Sequence, residues 1–139
     1  MILLDTNVVI DALDGEEANH GWAVNQVAGA VAGEGAAVNA VSLAELASGH
    51  RRAPEAVEAV LKAWGVNIVD VPAQAAPLCG KAYRQYLLAR RSSGGSLAPK
   101  TPLPDFFIGA HAELMGWRLA TRDVDRYQRY FPKVELLTP

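Results

Sequence analysis

The segment at residues 2–4, Ile-Leu-Leu, is apolar at every position and stops at an acidic residue, Asp5. A strand without a polar face must be covered on both sides, and such strands occur mainly in parallel sheets flanked by helices. Residues 36–41, 117–120 and 134–137 also read as short strands, and the first two of these are mainly apolar. Residues 66–71 alternate apolar and polar side chains, which predicts a strand nearer an edge.

Helical patterns fill the intervals between these strands. The spacing of apolar residues and the Pro and Gly positions predict helices at residues 8–13, 16–33, 42–49, 54–64, 77–91, 104–115 and 123–130. Residues 92–102 are rich in Ser, Gly and Pro and are predicted to form a loop. Strands that alternate with helices indicate an α/β fold with a parallel sheet covered on both faces.

Composition narrows the class of protein. The chain has 139 residues, of which half are apolar and a fifth charged, as expected for one globular domain. Its single cysteine, Cys79, excludes an internal disulfide and a multi-cysteine metal site. No apolar run approaches the roughly 20 residues that span a bilayer, and the first residues lack the positive segment of a signal peptide. We therefore expect a cytoplasmic protein without a membrane partner.

The net charge of −2 hides an uneven distribution. Residues 1–80 carry ten acidic and three basic side chains, whereas residues 81–139 carry five acidic and ten basic ones. A surface that grips nucleic-acid phosphates, if the chain has one, would thus be built mainly from residues after 80. The small net charge of the whole chain argues neither for nor against nucleic acid as a partner.

Four acidic residues occupy comparable places along the chain. Asp5 follows the first strand directly, Glu45 lies one helical turn after the second, and Asp123 follows the strand at 117–120. Asp105 lies in the first turn of the helix after the loop. Binding sites of open parallel sheets form beyond the carboxyl ends of the strands. We therefore expect these acids at one edge of the sheet.

Carboxylates gathered in one cleft require a counter-charge. Two unit charges about 4 Å apart repel by roughly 4 kcal/mol at an effective dielectric constant near 20. Either their pKa values rise or a cation lies between them. Oxygen-only sites suit Mg²⁺ or Mn²⁺ better than zinc, and such an ion activates water and neutralises a phosphodiester.

Each of these acids also has a purely structural interpretation. Ser42 and Glu45 match the capping box S-x-x-E, in which Glu45 would only close its own helix. Asp105 follows a proline in a first turn, where a negative charge favours the helix dipole. Asp5, or Thr6 beside it, is placed to cap the first helix, and Asp123 is placed to cap the helix that follows it.

Four segments resemble the PIN-domain ribonucleases, in particular VapC-type toxins of bacterial toxin–antitoxin pairs. They are Leu-Asp-Thr-Asn at 4–7, Val-Ser-Leu-Ala-Glu-Leu at 41–46, Leu-Pro-Asp-Phe-Phe-Ile-Gly-Ala-His-Ala at 103–112, and Leu-Ala-Thr-Arg-Asp at 119–123. They occur in the family's order and span nearly the whole chain. The resemblance implies a three-layer α/β/α sandwich with a mostly parallel central sheet, as a single PIN-like nuclease domain over residues 1–139.

The resemblance also implies the site and its chemistry. Asp5, Glu45, Asp105 and Asp123 would be the catalytic acids, of which Asp5 and Asp105 would bind Mg²⁺ or Mn²⁺. The supporting residues that it implies are Thr6, Asn7 and Thr121. The expected activity is an endoribonuclease in which water, activated by the ion, attacks the phosphodiester and leaves 5′-phosphate and 3′-hydroxyl ends. The expected partners are RNA, a cognate antitoxin and a second copy of the chain.

Residues around the Ser/Gly/Pro loop are the candidates for RNA contact: Arg90, Arg91, Lys100 and, further on, Arg122. Asp11 and Asp14 read as surface acids, and Asp125 is a rival to Asp123 for the fourth acidic position. The aromatic residues near the end of the chain are expected to pack in the core: Tyr127, Tyr130 and Phe131.

Two other functions remain as alternatives. A phosphatase of the haloacid-dehalogenase type also places an aspartate after the first strand, but it needs a second aspartate two residues on, where this chain has Asn7. A non-catalytic α/β binding module would use the four acids only as helix caps. Titration with metal ions separates that module from a nuclease.

Overall fold

The described part of the chain contains a five-stranded parallel sheet. The computed structural model describes residues 1–49, 52–94 and 101–139. The strands are β1 (Ile2–Leu4), β2 (Ala36–Asn39), β3 (Asn67–Val69), β4 (Arg118–Ala120) and β5 (Leu136–Leu137). Their order across the sheet is β3-β2-β1-β4-β5, and every neighbouring pair is parallel. The predicted parallel sheet is confirmed, with β1 at its centre.

Seven helices surround the sheet in the same described residues. They are α1 (Thr6–Leu13), α2 (His20–Ala32), α3 (Ala40–Gly49), α4 (Pro54–Ala63), α5 (Ala75–Ser92), α6 (Pro104–Met115) and α7 (Val124–Tyr130). Proline at the first position of α4 and α6 fixes where these helices begin. Gly116 ends α6 with a φ of 63°, a left-handed conformation that glycine adopts readily.

The sheet separates two hydrophobic cores. Ile2 and Leu4 face the core formed with α1, α2 and α4, whereas Leu3 between them faces the core formed with α5, α6 and α7. All three side chains are buried, as their uniformly apolar sequence requires. The predicted three-layer α/β/α sandwich is thus confirmed.

The junction between β2 and α3 differs from the prediction. The strand ends at Asn39 rather than at 41, because the Asn39 Oδ1 accepts hydrogen bonds from the backbone amides of Val41 (3.1 Å) and Ser42 (3.0 Å). Asn39 therefore satisfies the amino end of α3, and Ser42 lies buried inside the helix. The predicted capping box of Ser42 and Glu45 is therefore wrong. The Glu45 carboxylate does not cap its own helix and can accept a hydrogen bond from another element.

Several smaller expectations have clear outcomes. The predicted helix at 16–33 starts only at His20, and β3 is only partly buried, as expected at an edge. Cys79 is buried and reduced. Residues 95–100, the centre of the predicted loop, lie outside the described residues. None of the helices described is long and apolar enough to cross a membrane.

Gly109 allows α6 to pack closely on the end of α7, which gives a test of the second core. A Cβ at this position would overlap the ring of Phe131, which is only 2% exposed and has no room to move. We expect Gly109→Ala to lower the free energy of unfolding by about 1–3 kcal/mol. Urea unfolding measures the change.

Gly80 in α5 supplies the matched control, because a Cβ there meets nothing within 4 Å. Gly80→Ala should leave stability unchanged or raise it by up to about 1 kcal/mol through helix propensity. Equal stability of the two variants would contradict the packing described for Gly109.

Candidate functional site

Asp5 is held by hydrogen bonds from two elements of the fold. It caps α1, where its Oδ1 accepts from the amide of Thr6 at 2.8 Å. Its Oδ2 accepts from Asn7 Nδ2 and from Thr121 Oγ1, each at 2.7 Å. The side chain is only 2% exposed. The orientation of this buried carboxylate is therefore fixed from both sides, by α1 and by the end of β4.

Glu45 reaches the same place from α3. Its Oε2 accepts a hydrogen bond of 2.6 Å from the hydroxyl of Thr6, the residue after Asp5. The carboxylate is half-buried. The contact brings Glu45 beside Asp5, although the two residues lie far apart in sequence.

Asp105 and Asp123 meet at a shared arginine. Arg126 Nη1 pairs with Asp105 Oδ2, and its Nε lies 3.7 Å from Asp123 Oδ2. Asp123 caps α7 by accepting from the amide of Arg126, and its own amide donates to Thr121 Oγ1 at 3.0 Å. Thr121 thus links Asp123 to Asp5.

Pairwise electrostatic interactions connect these carboxylates. Burial raises the pKa of Asp5 to about 6, against the lowering effect of its hydrogen bonds, and the charges of Asp105 and Glu45 raise it further. Burial also raises the pKa of Asp105, where Arg126 opposes the shift and the charge of Asp123 adds to it. The cluster is thus an unfavourable collection of like charges that Arg126 neutralises only in part. We call these four acids the acidic cluster.

The donor set of the acidic cluster suits a hard divalent cation. Its carboxylate oxygens are the ligands that Mg²⁺ and Mn²⁺ prefer. Within residues 1–49, 52–94 and 101–139, no three acidic, histidine or cysteine side chains stand close enough to hold a metal as they are placed. Arg126 forms an ion pair with Asp105. A cation that binds between Asp5 and Asp105 would have to replace this ion pair.

The predicted RNA-contacting residues occupy different surroundings. Arg90 donates from Nη1 to the hydroxyl of Tyr86 at 2.8 Å and lies 5.6 Å from the centre of its ring. Arg126 lies 6.0 Å from the same ring, so Tyr86 connects the end of α5 to the acidic cluster. Arg91 is exposed at the end of α5, and Lys100 lies outside the described residues.

Arg122 forms an ion pair with an acid that the sequence analysis placed on the surface. Its Nε lies 3.2 Å from Asp11 Oδ2, and Asp11 is fully buried on α1. The prediction of a surface position for Asp11 is therefore wrong. The partner that makes the burial of Asp11 possible lies in a loop more than a hundred residues away in the sequence. Burial raises the pKa of Asp11, and the positive charge of Arg122 opposes that rise. The amide of Arg122 also donates to Asn7 Oδ1 at 3.3 Å.

Two residues of the site were missed by the sequence analysis. The sequence analysis does not single out Arg126, and it expects Tyr127 only to pack. The Tyr127 ring does lie in the core, but burial and the charges of the nearby acids raise the pKa of its hydroxyl: Asp5, Asp105 and Asp123. Helical spacing is the one signal that could have found them, because residues three and four positions after Asp123 share its face of α7.

Asp125, the rival for the fourth acidic position, is exposed on α7. It lines a shallow groove of about 270 Å³ together with Tyr86, Asp123 and Arg126. Asp123 rather than Asp125 shares an arginine with Asp105 and a hydrogen bond with Thr121.

Comparisons with known proteins agree with this architecture. A family model described as the PIN domain matches residues 2–132. Among curated proteins the chain has no match. The VapBC2 complex of Rickettsia felis bound to a promoter DNA fragment has a similar fold, with a TM-score of 0.69 and 20% identity over 100% of this chain and 99% of that chain.

Two further solved structures are similar over almost their whole length. FitAcB of Neisseria gonorrhoeae has a TM-score of 0.64 and 23% identity over 100% of this chain and 98% of that chain. VapC20 of Mycobacterium tuberculosis is described as a sarcin-ricin loop cleaving toxin. It has a TM-score of 0.63 and 22% identity over 97% of this chain and 99% of that chain. At these identities the likeness establishes a shared fold.

The raised pKa of Asp5 predicts a distinctive pH dependence of stability without metal. The folded chain holds this proton up to about pH 6, whereas an unfolded chain releases it near the ordinary aspartate pKa of 3.8. The contribution of Asp5 to stability is therefore fully present below about pH 4 and is lost as the pH rises through 6. The difference between these two pKa values corresponds to about 3 kcal/mol in the free energy of unfolding.

Urea unfolding of the parent and of Asp5→Asn, in EDTA between pH 4 and 7, measures this effect. The free energy of unfolding of the parent minus that of Asp5→Asn should decrease from pH 4 to pH 7. The corresponding difference for the exposed Asp125→Asn should change little. The raised pKa of Asp5 would be contradicted if the difference in unfolding free energy between the parent and Asp5→Asn stayed constant from pH 4 to pH 7.

The Asp11–Arg122 pair gives a second stability prediction. Arg122→Gln leaves a buried carboxylate without its ion partner, and we expect a loss of about 1–2 kcal/mol, less than for a fully buried pair because Arg122 is 40% exposed. Arg91→Gln, on an exposed helix end, should stay within about 0.5 kcal/mol of the parent. Adding Asp11→Asn to Arg122→Gln should recover part of the loss; full additivity of the two changes would refute the pairing.

Proposed function

The chain belongs to the PIN-domain family, and from that premise we propose that it is a Mg²⁺- or Mn²⁺-dependent endoribonuclease, the toxin of a toxin–antitoxin pair. One observation carries the proposal. Three carboxylates from other places in the fold join the buried Asp5 despite mutual repulsion: the charges of Glu45 and Asp105 act on Asp5, and that of Asp123 acts on Asp105. An arrangement that costs stability in the free protein is typical of a functional site.

Asp5 and Asp105 are the proposed ligands of the divalent ion. Asp5 is held in place by Asn7 and Thr121, and Thr6 holds Glu45 at its side. A bound Mg²⁺ or Mn²⁺ supplies positive charge for the phosphodiester and makes water more acidic. The supporting residues thus act through orientation of the carboxylates.

Arg126 has a proposed role in the free and in the substrate-bound site. In the free site its guanidinium pairs with Asp105 and Asp123 and offsets part of their negative charge. With these acids engaged by a divalent ion, the same guanidinium is available to a phosphate oxygen, which arginine binds well. Attack by water rather than by the ribose 2′-hydroxyl leaves a 5′-phosphate and a 3′-hydroxyl. A 2′,3′-cyclic phosphate product would exclude this route.

RNA and a small antitoxin are the proposed macromolecular partners. VapC20, one of the similar structures, is described as a toxin that cleaves the sarcin-ricin loop, and others are VapBC and FitAB assemblies with DNA. The arginines around Tyr86 give a basic approach to the acidic cluster, which by itself would repel a phosphate backbone. A cytoplasmic location and a homodimer remain predictions.

The binding-module alternative keeps one supporting observation, because Asp5 and Asp123 do cap α1 and α7. Capping does not account for Glu45, whose carboxylate accepts from Thr6 instead of its own helix. Nor does it account for the ion pair between the half-buried Asp105 and Arg126. The nuclease proposal explains all four acids together.

Cleavage of total RNA by antitoxin-free protein tests the proposal. Sequencing of the new ends should show Mg²⁺- or Mn²⁺-dependent cuts with 5′-phosphates, abolished by EDTA. Asp5→Asn and Asp105→Asn should each lose about 100-fold or more in rate, because a divalent ion contributes several kcal/mol to the transition state.

Asp125→Asn is the matched control, since Asp125 is an exposed acid on the same helix as the arginine of the cluster. Its rate should equal that of the parent. Absence of cleavage with both ions, or full activity of Asp5→Asn, would refute the nuclease proposal.

A further inference from the structure

Asp11 is a buried carboxylate of α1 that the proposed function does not use. Its side chain is fully buried, and among the described residues neither of its carboxylate oxygens accepts a hydrogen bond of normal geometry. The compensation for its charge is ionic, since Arg122 Nε lies 3.2 Å from Asp11 Oδ2. Apolar side chains of similar volume commonly stabilise a fold as well as a buried ion pair does. The presence of this pair therefore calls for an explanation other than stability.

Arg122 contacts α1 through two different groups. Asn7 and Asp11 are four residues apart on that helix, so their side chains share one face. The backbone amide of Arg122 donates to Asn7 Oδ1 at 3.3 Å, and its guanidinium pairs with Asp11. Because the two contacts lie one helical turn apart, they fix both the position and the direction of the loop that follows β4.

Asn7 passes this constraint on to Asp5. Its Nδ2 donates to Asp5 Oδ2 at 2.7 Å. A side-chain amide has one oxygen that only accepts and one nitrogen that only donates. With its oxygen held by the Arg122 amide, Asn7 presents its nitrogen to Asp5. The opposite orientation of the amide would place its oxygen against the Asp5 carboxylate, and the two would repel each other.

The residues on either side of Arg122 also contact the acidic cluster. Thr121 Oγ1 donates to Asp5 Oδ2 at 2.7 Å and accepts from the amide of Asp123 at 3.0 Å. A movement of Arg122 away from α1 would thus disturb both donors to Asp5 Oδ2, the one from Asn7 and the one from Thr121.

We propose that Asp11 and Arg122 are positioning residues of the metal site, whose ion pair holds the loop after β4 against α1 in the geometry that orients Asp5. The inference rests on the proposed function, because it requires that Asp5 binds a divalent ion. It gives Arg122 a role different from the predicted contact with RNA, since the guanidinium is directed at Asp11.

Mn²⁺ binding to the metal-free protein tests this role independently of activity. Titration followed by electron paramagnetic resonance gives the Kd for Mn²⁺. Arg122→Gln removes the guanidinium and keeps the backbone amide, and Asp11→Asn removes the buried charge at nearly constant volume. We expect each change to raise the Kd about tenfold, the lower end for loss of a group that orients a metal ligand.

The direction of the two changes separates positioning from the effect of charge alone. Loss of the positive charge of Arg122 would by itself strengthen the binding of a cation, whereas loss of the negative charge of Asp11 would weaken it. Positioning through the ion pair predicts weaker binding for both variants. A lower Kd for Arg122→Gln together with a higher Kd for Asp11→Asn would overturn the proposal.

The double variant adds a second criterion. Both single changes break the same link, so the variant with Arg122→Gln and Asp11→Asn should also bind Mn²⁺ about tenfold more weakly than the parent. A loss equal to the product of the two single effects, about 100-fold, would contradict a shared link.

Val57→Ala is the control for a general loss of stability. Val57 is fully buried on α4, in the core on one side of the sheet, and its truncation leaves a cavity. The Kd of this variant should remain within about twofold of the parent. A rise as large as that of Arg122→Gln would show that any destabilisation weakens the site, and would overturn the proposal.

Nuclear magnetic resonance of the metal-free protein follows the link itself. The side-chain amide signals of Asn7 should shift in Arg122→Gln and in Asp11→Asn and stay in place in Val57→Ala. Unchanged Asn7 signals and unchanged Mn²⁺ affinity in the first two variants, while the parent binds Mn²⁺ and cleaves RNA, would overturn the positioning role alone. A parent that binds no Mn²⁺ would overturn the proposed function and this inference with it.

Discussion

The hydrogen bonds to the Asp5 carboxylate are the interaction on which the rest of the site depends. One oxygen accepts from the first amide of α1, and the other accepts from Asn7 and from Thr121 at the end of β4. Neighbouring parallel strands thereby present their carboxyl ends to one charged group. Thr6 and Thr121 extend the network to Glu45 and Asp123. The sheet order, with β1 between β2 and β4, makes this convergence possible.

Like charges held so close need compensation, and the fold supplies only part of it. Burial raises the pKa values of Asp5 and Asp105, and Arg126 offsets the effect at Asp105. The protein thus keeps carboxylates at positions where neutral side chains would be more stable without metal. The metal site that we propose has the same electrostatic basis, since a divalent cation would relieve the repulsion that the folded chain cannot remove by itself.

Local sequence signals predicted most of the framework. The apolar run that stops at Asp5 located β1, because burial on both faces leaves little choice of residue. Interactions between distant segments were not predictable in this way. The burial of Asp11 depends on Arg122, and the end of β2 depends on the choice of Asn39 as a cap in place of Ser42.

The central claim is that the acidic cluster is a divalent-cation site built around Asp5. Anomalous X-ray scattering from crystals grown with Mn²⁺ tests it most directly, because it locates the ion itself. The account predicts a peak roughly 2 Å from carboxylate oxygens of both Asp5 and Asp105, as oxygen ligands of such ions require, with Arg126 displaced from Asp105. A peak elsewhere, or no peak while Arg126 still pairs with Asp105, would contradict it.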